Sequence, residues 1–215
     1  FKKIFIIAGN NSFLKSGLKH FFSNLTNKNI TYFFKKEPIP KYHELVQIIK
    51  NIEIFKPDLI IAAGGGSVID YAKIANVLDI SKDPKEEIIK SNYKLLSNTR
   101  KLLAIPTTAG SGAEVTANAV IYVDDKKYSI EDKLIKPNYF FLIPDFVKNA
   151  SKKIKSSAGF DAISQGIESL LSKKSNTESV EYAKNSLKIS INYYLKFLNA
   201  PNHDNTCAML YASNL

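Results

Sequence analysis

The fold is indicated by one continuous stretch, residues 58–78, which reads DLIIAAGGGSVIDYAKIANVL. A short apolar run of strand length leads through three glycines and Ser67 into a segment with apolar residues at helical spacing. Glycines at this turn can adopt positive φ and let backbone amides approach a ligand closely. The N-terminus of the following helix favours an anion. The stretch therefore predicts a phosphate or pyrophosphate site, although a tight turn with Ser67 as helix N-cap would leave the same pattern.

On both sides of this stretch, short apolar runs alternate with amphipathic segments. The predicted strands are Lys3–Ala8, Ile30–Phe34, Asp58–Ala63, Leu102–Ile105 and Tyr139–Ile143, with a hairpin over Ala119–Val123 and Lys127–Ile130. The predicted helices are Phe13–Leu25, Tyr42–Phe55 and Val68–Leu78. This alternation is typical of a parallel sheet with helices on both faces, so we expect a doubly wound, Rossmann-like α/β domain over residues 1–150.

The pattern changes after Ser151, where helical periodicity replaces strand-like runs. Helices are predicted over residues 156–172, 176–198 and 202–215, and the apolar pattern of the last one is still continuing at Leu215. Residues 151–215 therefore read as the beginning of an all-α second domain. The chain begins with Phe1 rather than methionine, which leads us to expect a piece of a longer protein that is inactive by itself.

The composition limits the kinds of molecule that we expect the protein to bind. The net charge is +10, but Arg100 is the single arginine among 30 basic residues, and arginine is the preferred residue for phosphate and base-edge contacts on nucleic acids. We therefore expect no nucleic-acid partner, and at most an attraction for anionic ligands. No apolar run approaches the roughly 20 residues that a membrane span needs. One cysteine, Cys207, excludes an internal disulfide and favours a reducing, cytoplasmic location.

A second polar turn, PTTAGSGAE at residues 106–114, follows the predicted strand Leu102–Ile105. Hydroxyl residues at the carboxyl end of a strand face the ligand crevice of such sheets, although a Ser/Thr/Gly loop can also form to satisfy its own hydrogen bonds. Because both polar turns follow strands of the same sheet, we expect them to open onto one crevice. Neither motif fits a P-loop, which needs Gly-Lys-Ser/Thr, or the usual G-x-G-x-x-G fingerprint.

A third feature, GFDAISQGIE at residues 159–168, begins the helical half. Asp161, Gln165 and Glu168 fall at i, i+4 and i+7, so they share one helix face. A carboxylate and an amide oxygen on one face can bind a divalent cation. The alternative is a solvated face with an acidic residue near the helix N-terminus. Nothing in the sequence singles out a catalytic acid or base.

Together these segments resemble the iron-containing alcohol dehydrogenase family, the group III metal-dependent type. The resemblance rests on GGGSxxDxxK at 64–73, PTTAGSGAEVT at 106–116, Pro144-Asp145 and GFDA at 159–162. It implies a two-domain NAD(P)-dependent oxidoreductase with an N-terminal dinucleotide domain and a helical metal domain. By resemblance the cofactor-binding residues are Asn10, Ser12, Gly64, Gly65, Gly66, Ser67, Asp70, Thr107, Thr108 and Ser111, with Asp70 near the nicotinamide.

The resemblance also frames the choice of cofactor. Family members that prefer NAD often carry an aspartate after the first strand, where it accepts hydrogen bonds from the ribose and repels a 2′-phosphate. This chain has Asn10 there, with Ser12 nearby and Lys35 and Lys36 able to attract a phosphate. We therefore expect NADP(H) to be favoured over NAD(H).

The metal site implied by the resemblance departs from the family pattern. Asp161 is present, but Gln165 stands where the family has a histidine, so affinity for a divalent metal, Fe or Zn, should fall. The two further family histidines would lie beyond Leu215. We expect His20, His43 and His203 on the surface.

The predicted function is metal-assisted hydride transfer between NAD(P) and an alcohol or aldehyde, by a homodimer. The residues around Asp161 also resemble those of a subgroup that acts on phosphonate aldehydes (phosphonoacetaldehyde reductases) or on acidic sugars. An anionic substrate would suit the excess of lysine. Two alternatives remain open: an NAD-using cyclase of the dehydroquinate synthase kind, and a nucleotide-binding relic without metal-dependent activity.

Overall fold

The computed structural model of the chain describes residues 1–26, 28–81, 84–97 and 99–215. Its strands are β1 Lys3–Gly9, β2 Asn29–Lys35, β3 Leu59–Gly64, β4 Lys101–Pro106, β5 Asn118–Val123, β6 Lys126–Glu131 and β7 Tyr139–Phe140. Its α-helices are α1 Asn10–Lys15, α2 Leu18–Ser23, α3 Tyr42–Phe55, α4 Gly66–Val77, α5 Lys85–Ile89, α6 Asp145–Lys148, α7 Lys152–Leu171, α8 Thr177–Asn199 and α9 His203–Asn214. A 3-10 turn covers Lys133–Ile135.

Five strands form a parallel sheet in the order β2-β1-β3-β4-β7. Ile6 pairs with Ile61 and Ile61 with Leu103, so the carboxyl ends of the three central strands lie along one edge. In this order β2 lies on one side of β1, and β3 lies on the other. The order therefore reverses between β1 and β3, where doubly wound sheets bind their ligands.

The core lies on both faces of this sheet, because successive strand residues point to opposite sides. Phe5 and Ile7 pack with α3, α4 and the β5–β6 hairpin. Ile4 and Ile6 pack with α1, α2 and Phe146 of α6. The predicted Rossmann-like layer and the following helices are confirmed.

The prediction of one helix over Phe13–Leu25 is wrong. The chain forms α1 and α2 instead, because Gly17 between them has φ 92 and turns the backbone out of the helical path. The last predicted strand, Tyr139–Ile143, forms a ladder over Tyr139–Phe140. The short helix α5 has no counterpart in the sequence prediction.

The helices after residue 151 pack closely through glycines. A Cβ on Gly159 would lie 2.7 Å from the Tyr194 ring, and one on Gly166 would lie 2.9 Å from Leu187. The loop after β4 touches this layer, since a Cβ on Gly110 would lie 2.4 Å from the carbonyl oxygen of Ala158 on α7. The domain boundary near residue 150 stays a prediction.

Among the described residues, no helix combines the length and the apolar character that a bilayer span requires.

The contact between Gly110 and α7 predicts a large cost for a single methyl group. Gly110→Ala should lower the free energy of unfolding by about 1–3 kcal/mol, because the new Cβ meets backbone atoms that no side-chain rotation can move. Gly9→Ala is the matched control, since its Cβ would lie 3.0 Å from the Ser12 hydroxyl, which can rotate away. Urea denaturation measures both, and equal losses in the two variants would contradict the prediction.

Candidate functional site

Two cavities open at the carboxyl edge of the sheet, where the strand order reverses. The first, of about 460 Å³, lies between the start of α1, the glycine turn after β3 and the loop after β4. The second, of about 480 Å³, lies between the same turn and α7. Thr108 lines both cavities. They therefore form two neighbouring compartments along one cleft, in the place that the fold favours for a ligand.

The glycine turn joins β3 to α4 at the middle of this cleft. A Cβ on Gly64 would lie 2.5 Å from the Val68 side chain, and one on Gly66 would lie 2.7 Å from the Ser111 hydroxyl. The expectation of positive φ is wrong for this turn, because the described glycines with positive φ are Gly17 and Gly112. Glycine is required here by close packing, and the free amides at the start of α4 remain available to an anion.

The loop after β4 lies directly against the glycine turn. Thr107 N donates to Gly64 O at 3.0 Å, and a Cβ on Gly65 would lie 3.2 Å from the Thr108 hydroxyl. Gly65 and Ser67 line the first cavity together with Thr107 and Thr108, and Gly66 and Ser111 line the second. The structure thus brings the two predicted polar turns together, as the sheet topology required.

Lys73 on α4 is a residue whose role sequence reasoning missed. Its side chain is fully buried, and its ammonium donates to Ala113 O at 2.7 Å, Asn118 O at 2.7 Å and Thr116 Oγ1 at 2.9 Å. Burial lowers the pKa of Lys73 to about 8, and the neighbouring carboxylates of Asp70 and Glu114 oppose that shift. The signal in the sequence that could have identified this role is a lysine with apolar residues on both sides of it in a helical segment.

Asp70, placed near the nicotinamide by resemblance, lies one helical turn after the glycines. It borders Lys73 and Lys127 and accepts the Val120 N–H, and it lines neither of the two cavities. Burial raises the pKa of Asp70 to about 6, against the lowering effects of Lys73, Val120 N–H and Lys127. Groups whose pKa is displaced in this way cluster at functional sites.

The turn after β1 forms the outer end of the first cavity. Ser12, Asn11 and Lys15 line it, whereas Asn10 is exposed at the start of α1 and lies outside the lining. Lys35 folds back and donates to the carbonyl oxygens of Glu37 at 2.7 Å and Pro38 at 3.2 Å.

Of the described lysines and arginine, Lys15 is the one that lines this end of the cleft, and the sequence analysis did not select it. Lys36, the other lysine selected there, is exposed and lines neither cavity.

The two predicted metal ligands lie on α7 but face different spaces. Asp161 lines the second cavity. Gln165 lines a third cavity of about 240 Å³ between α7, α8, α9 and the loop after β4. Within the described residues no three His, Cys, Asp or Glu side chains are close enough to hold a metal ion. Asp161 and Gln165 do not by themselves form an iron or zinc centre.

The three histidines are exposed, as expected. His43 Nε2 lies 3.2 Å from the Glu37 carboxylate, and His203 begins α9.

Because Asp70 is largely buried, we predict that its ionisation lowers the free energy of unfolding and makes it depend on pH. Since its pKa rises from 3.8 to about 6 on folding, the folded state binds the proton more tightly, and the free energy of unfolding falls as pH rises through this window. Asp70→Asn should therefore stabilise the protein at pH 7 by about 3 kcal/mol, with little difference at pH 4. Chemical denaturation at both values measures this.

Asp58→Asn serves as the control of opposite sign. Its carboxylate accepts the Lys2 and Lys3 N–H groups, which lower its pKa, so this variant should lose stability at pH 7. The prediction for Asp70 is wrong if Asp70→Asn is no more stable than the parent chain at pH 7.

Comparison with known proteins gives several matches. An alcohol dehydrogenase of Thermococcus barophilus is 35% identical over 135 residues, which cover 60% of this chain and 36% of the relative. An NADPH-dependent butanol dehydrogenase of Clostridium saccharobutylicum is 34% identical over 136 residues, 61% of this chain and 35% of the relative. The chain thus spans well under half the length of these curated relatives.

Solved structures agree on the fold. An iron-containing alcohol dehydrogenase from Thermotoga maritima superimposes with a TM-score of 0.87 at 26% identity, over 100% of this chain and 60% of that one. The family model described as iron-containing alcohol dehydrogenase matches residues 1–144 of the 215. The chain belongs to the iron-containing alcohol dehydrogenase family.

Proposed function

We propose that the chain is the cofactor-binding part of an NAD(P)-dependent oxidoreductase that acts on an alcohol or aldehyde. The observation that carries the proposal is the cleft at the strand switch, where the amide end of α4 faces the hydroxyls of the next loop. Family membership and the names of the relatives supply the reaction class. The family match also favours a dehydrogenase over the cyclase alternative.

The cleft suits an extended dinucleotide along its length. The pyrophosphate would lie at the amides of Gly65, Gly66 and Ser67, because a helix N-terminus attracts negative charge. The adenosine end would occupy the first cavity beside Ser12, and the nicotinamide end would point towards the second cavity. A nicotinamide cofactor held there would supply the redox chemistry, which is hydride transfer between its ring and an alcohol or aldehyde carbon.

NADP(H) is the proposed cofactor, and two features of the first cavity support it. A 2′-phosphate carries charge that an ammonium and a hydroxyl can bind, and Lys15 and Ser12 supply both in the lining of the first cavity. Among the residues that the structure describes, no carboxylate lines this cavity. A relative of 34% identity is named as NADPH-dependent.

A divalent metal, Fe or Zn, remains part of the proposal through family membership alone. The described residues offer Asp161 and Gln165, which line different cavities, and this donor set does not suit iron or zinc without further ligands. No step of the reaction is therefore assigned to a metal.

The remaining parts of the proposal concern the setting of the enzyme. An anionic aldehyde or alcohol as substrate accords with the net charge of +10. A homodimer and a cytoplasmic location are also proposed, the latter because the one cysteine, Cys207, is unpaired and exposed. A nucleotide-binding relic would differ from the enzyme in binding NADPH without any turnover.

Nucleotide binding tests the cofactor assignment. The chain should bind NADPH more tightly than NADH, and Lys15→Glu should weaken NADPH by at least about tenfold because it replaces an attractive charge with a repulsive one. Binding of NADH should change little. Fluorescence titration measures both constants, and we expect the 215-residue chain to show little aldehyde reduction by itself.

Lys19→Glu is the matched control, because Lys19 is exposed on α2 and lines neither cavity. It makes the same change in charge and should leave NADPH binding nearly intact. An absence of NADPH binding would refute the proposed function, and equal losses in both variants would refute the role of Lys15.

A second test concerns the predicted metal ligands. Gln165→His should tighten binding of Zn²⁺ by about tenfold, since an imidazole nitrogen is a better ligand for zinc than an amide oxygen. Ile167→His places the same group on another face of α7 and should have no such effect, because Ile167 is exposed and lines neither cavity with Asp161 or Gln165. Competition with a chromophoric chelator measures both affinities; identical results would count against the predicted site.

A further inference from the structure

The buried ammonium of Lys73 has a complete set of partners. It has three N–H donors, and three oxygen atoms accept from it: the carbonyls of Ala113 and Asn118 and the hydroxyl of Thr116. Burying an ammonium is strongly unfavourable unless its donors are satisfied. The side chain and its acceptors are therefore strongly constrained to their present positions.

All three acceptors lie within residues 107–118, which run from the end of β4 to Asn118, the first residue of β5. The first half of these residues, 107–112, forms one wall of the cleft, and the second half, 113–118, contains the acceptors of Lys73. A Cβ on Gly66 would lie 2.7 Å from the Ser111 hydroxyl, and a Cβ on Gly65 would lie 3.2 Å from the Thr108 hydroxyl. A shift of the second half would therefore change the width of the cleft at the glycine turn.

Charges around the ammonium favour the same arrangement. Asp70 lies on the same helix and Glu114 on the loop itself, and both carboxylates stabilise the charged form of Lys73. Glu114 is buried and accepts from Asn214 Nδ2 at 3.1 Å, which connects the loop to α9. The loop is thus held between α4 on one side and the helical layer on the other.

We infer that Lys73 is a positioning residue for the cofactor: its ammonium holds residues 107–118 so that Thr108 and Ser111 stand opposite Gly65 and Gly66. The inference rests on the proposed nucleotide-binding function. Lys73 itself lines neither of the two cavities of the cleft, so it acts through the loop and touches no ligand.

The same helix provides a matched control. Asn76 also carries buried polar atoms that bind the backbone of another segment, accepting from Arg100 N at 3.0 Å and donating to Arg100 O at 2.8 Å. Arg100 precedes the amino end of β4, opposite to the cleft. Asn76→Leu therefore removes two buried hydrogen bonds of the same helix without touching the loop.

The experiment compares Lys73→Met and Asn76→Leu with the parent chain at a temperature where all three are folded. NADPH and adenosine 2′,5′-bisphosphate are the two probes. Lys73→Met should weaken NADPH by about tenfold and leave the half-ligand unchanged within about twofold, because the adenosine end lies beside Ser12 and Lys15. Asn76→Leu should leave both affinities within about twofold. Hydrogen exchange should accelerate in residues 107–118 for Lys73→Met alone.

The outcomes separate the inference from the proposed function. Unchanged NADPH affinity in Lys73→Met, equal weakening of both probes, or equal effects of the two variants would overturn the role of Lys73. If the parent chain binds neither probe, the nucleotide-binding function fails, and the exchange rates of residues 107–118 still decide whether Lys73 holds the loop. Should Lys73→Met not fold, Thr116→Val removes one acceptor and should weaken NADPH by about threefold.

Discussion

Every polar side chain buried on α4 must find a partner, and this requirement fixes the helix that faces the cleft. Tyr71 accepts from Lys41 N at 2.6 Å and donates to the Glu44 carboxylate at 2.7 Å, while Lys73 binds the segment after β4. An unpaired polar atom inside a protein costs more than a hydrogen bond gains, so α4 has little freedom to slide or rotate. Its amide end is thereby held at the carboxyl edge of the sheet, where the ligand cleft lies.

The cleft is formed by close contacts of backbone and small side chains. Three glycines at the end of β3 and the start of α4, Gly64 to Gly66, and two more in the loop after β4, Gly110 and Gly112, lie where a Cβ would meet other atoms. Such contacts leave little room for adjustment, because packed interiors have few voids. The arrangement is therefore preorganised, and a ligand would meet donors and hydroxyls that are already in place.

Much of the fold follows from periodicity. The strands and the helices α3 and α4 carry strong apolar patterns, and the two polar turns follow strands of one sheet, so their meeting was predictable. The break at Gly17 was not, because apolar spacing continues across it and does not reveal a positive φ. The sequence analysis selected Lys35 for the cleft, but Lys15 lines it in the structure. The Lys35 ammonium donates instead to two nearby carbonyls, and the residue type alone does not reveal such a local contact. The i, i+4 spacing places Asp161 and Gln165 on one face of α7. It does not reveal that α8 and α9 pack beside α7, so that the two side chains line different cavities.

The contacts of Gly110 and Gly112 with the backbones of α7 and α9 limit the substitutions that the loop after β4 can accept. One loop forms a wall of the cleft and also packs against the helical layer. Its sequence must satisfy two surfaces at once, so substitutions should be tolerated better at exposed positions such as Lys19 than at Gly110 and Gly112. A substitution in this loop therefore disturbs the cleft and the packing of the helices together.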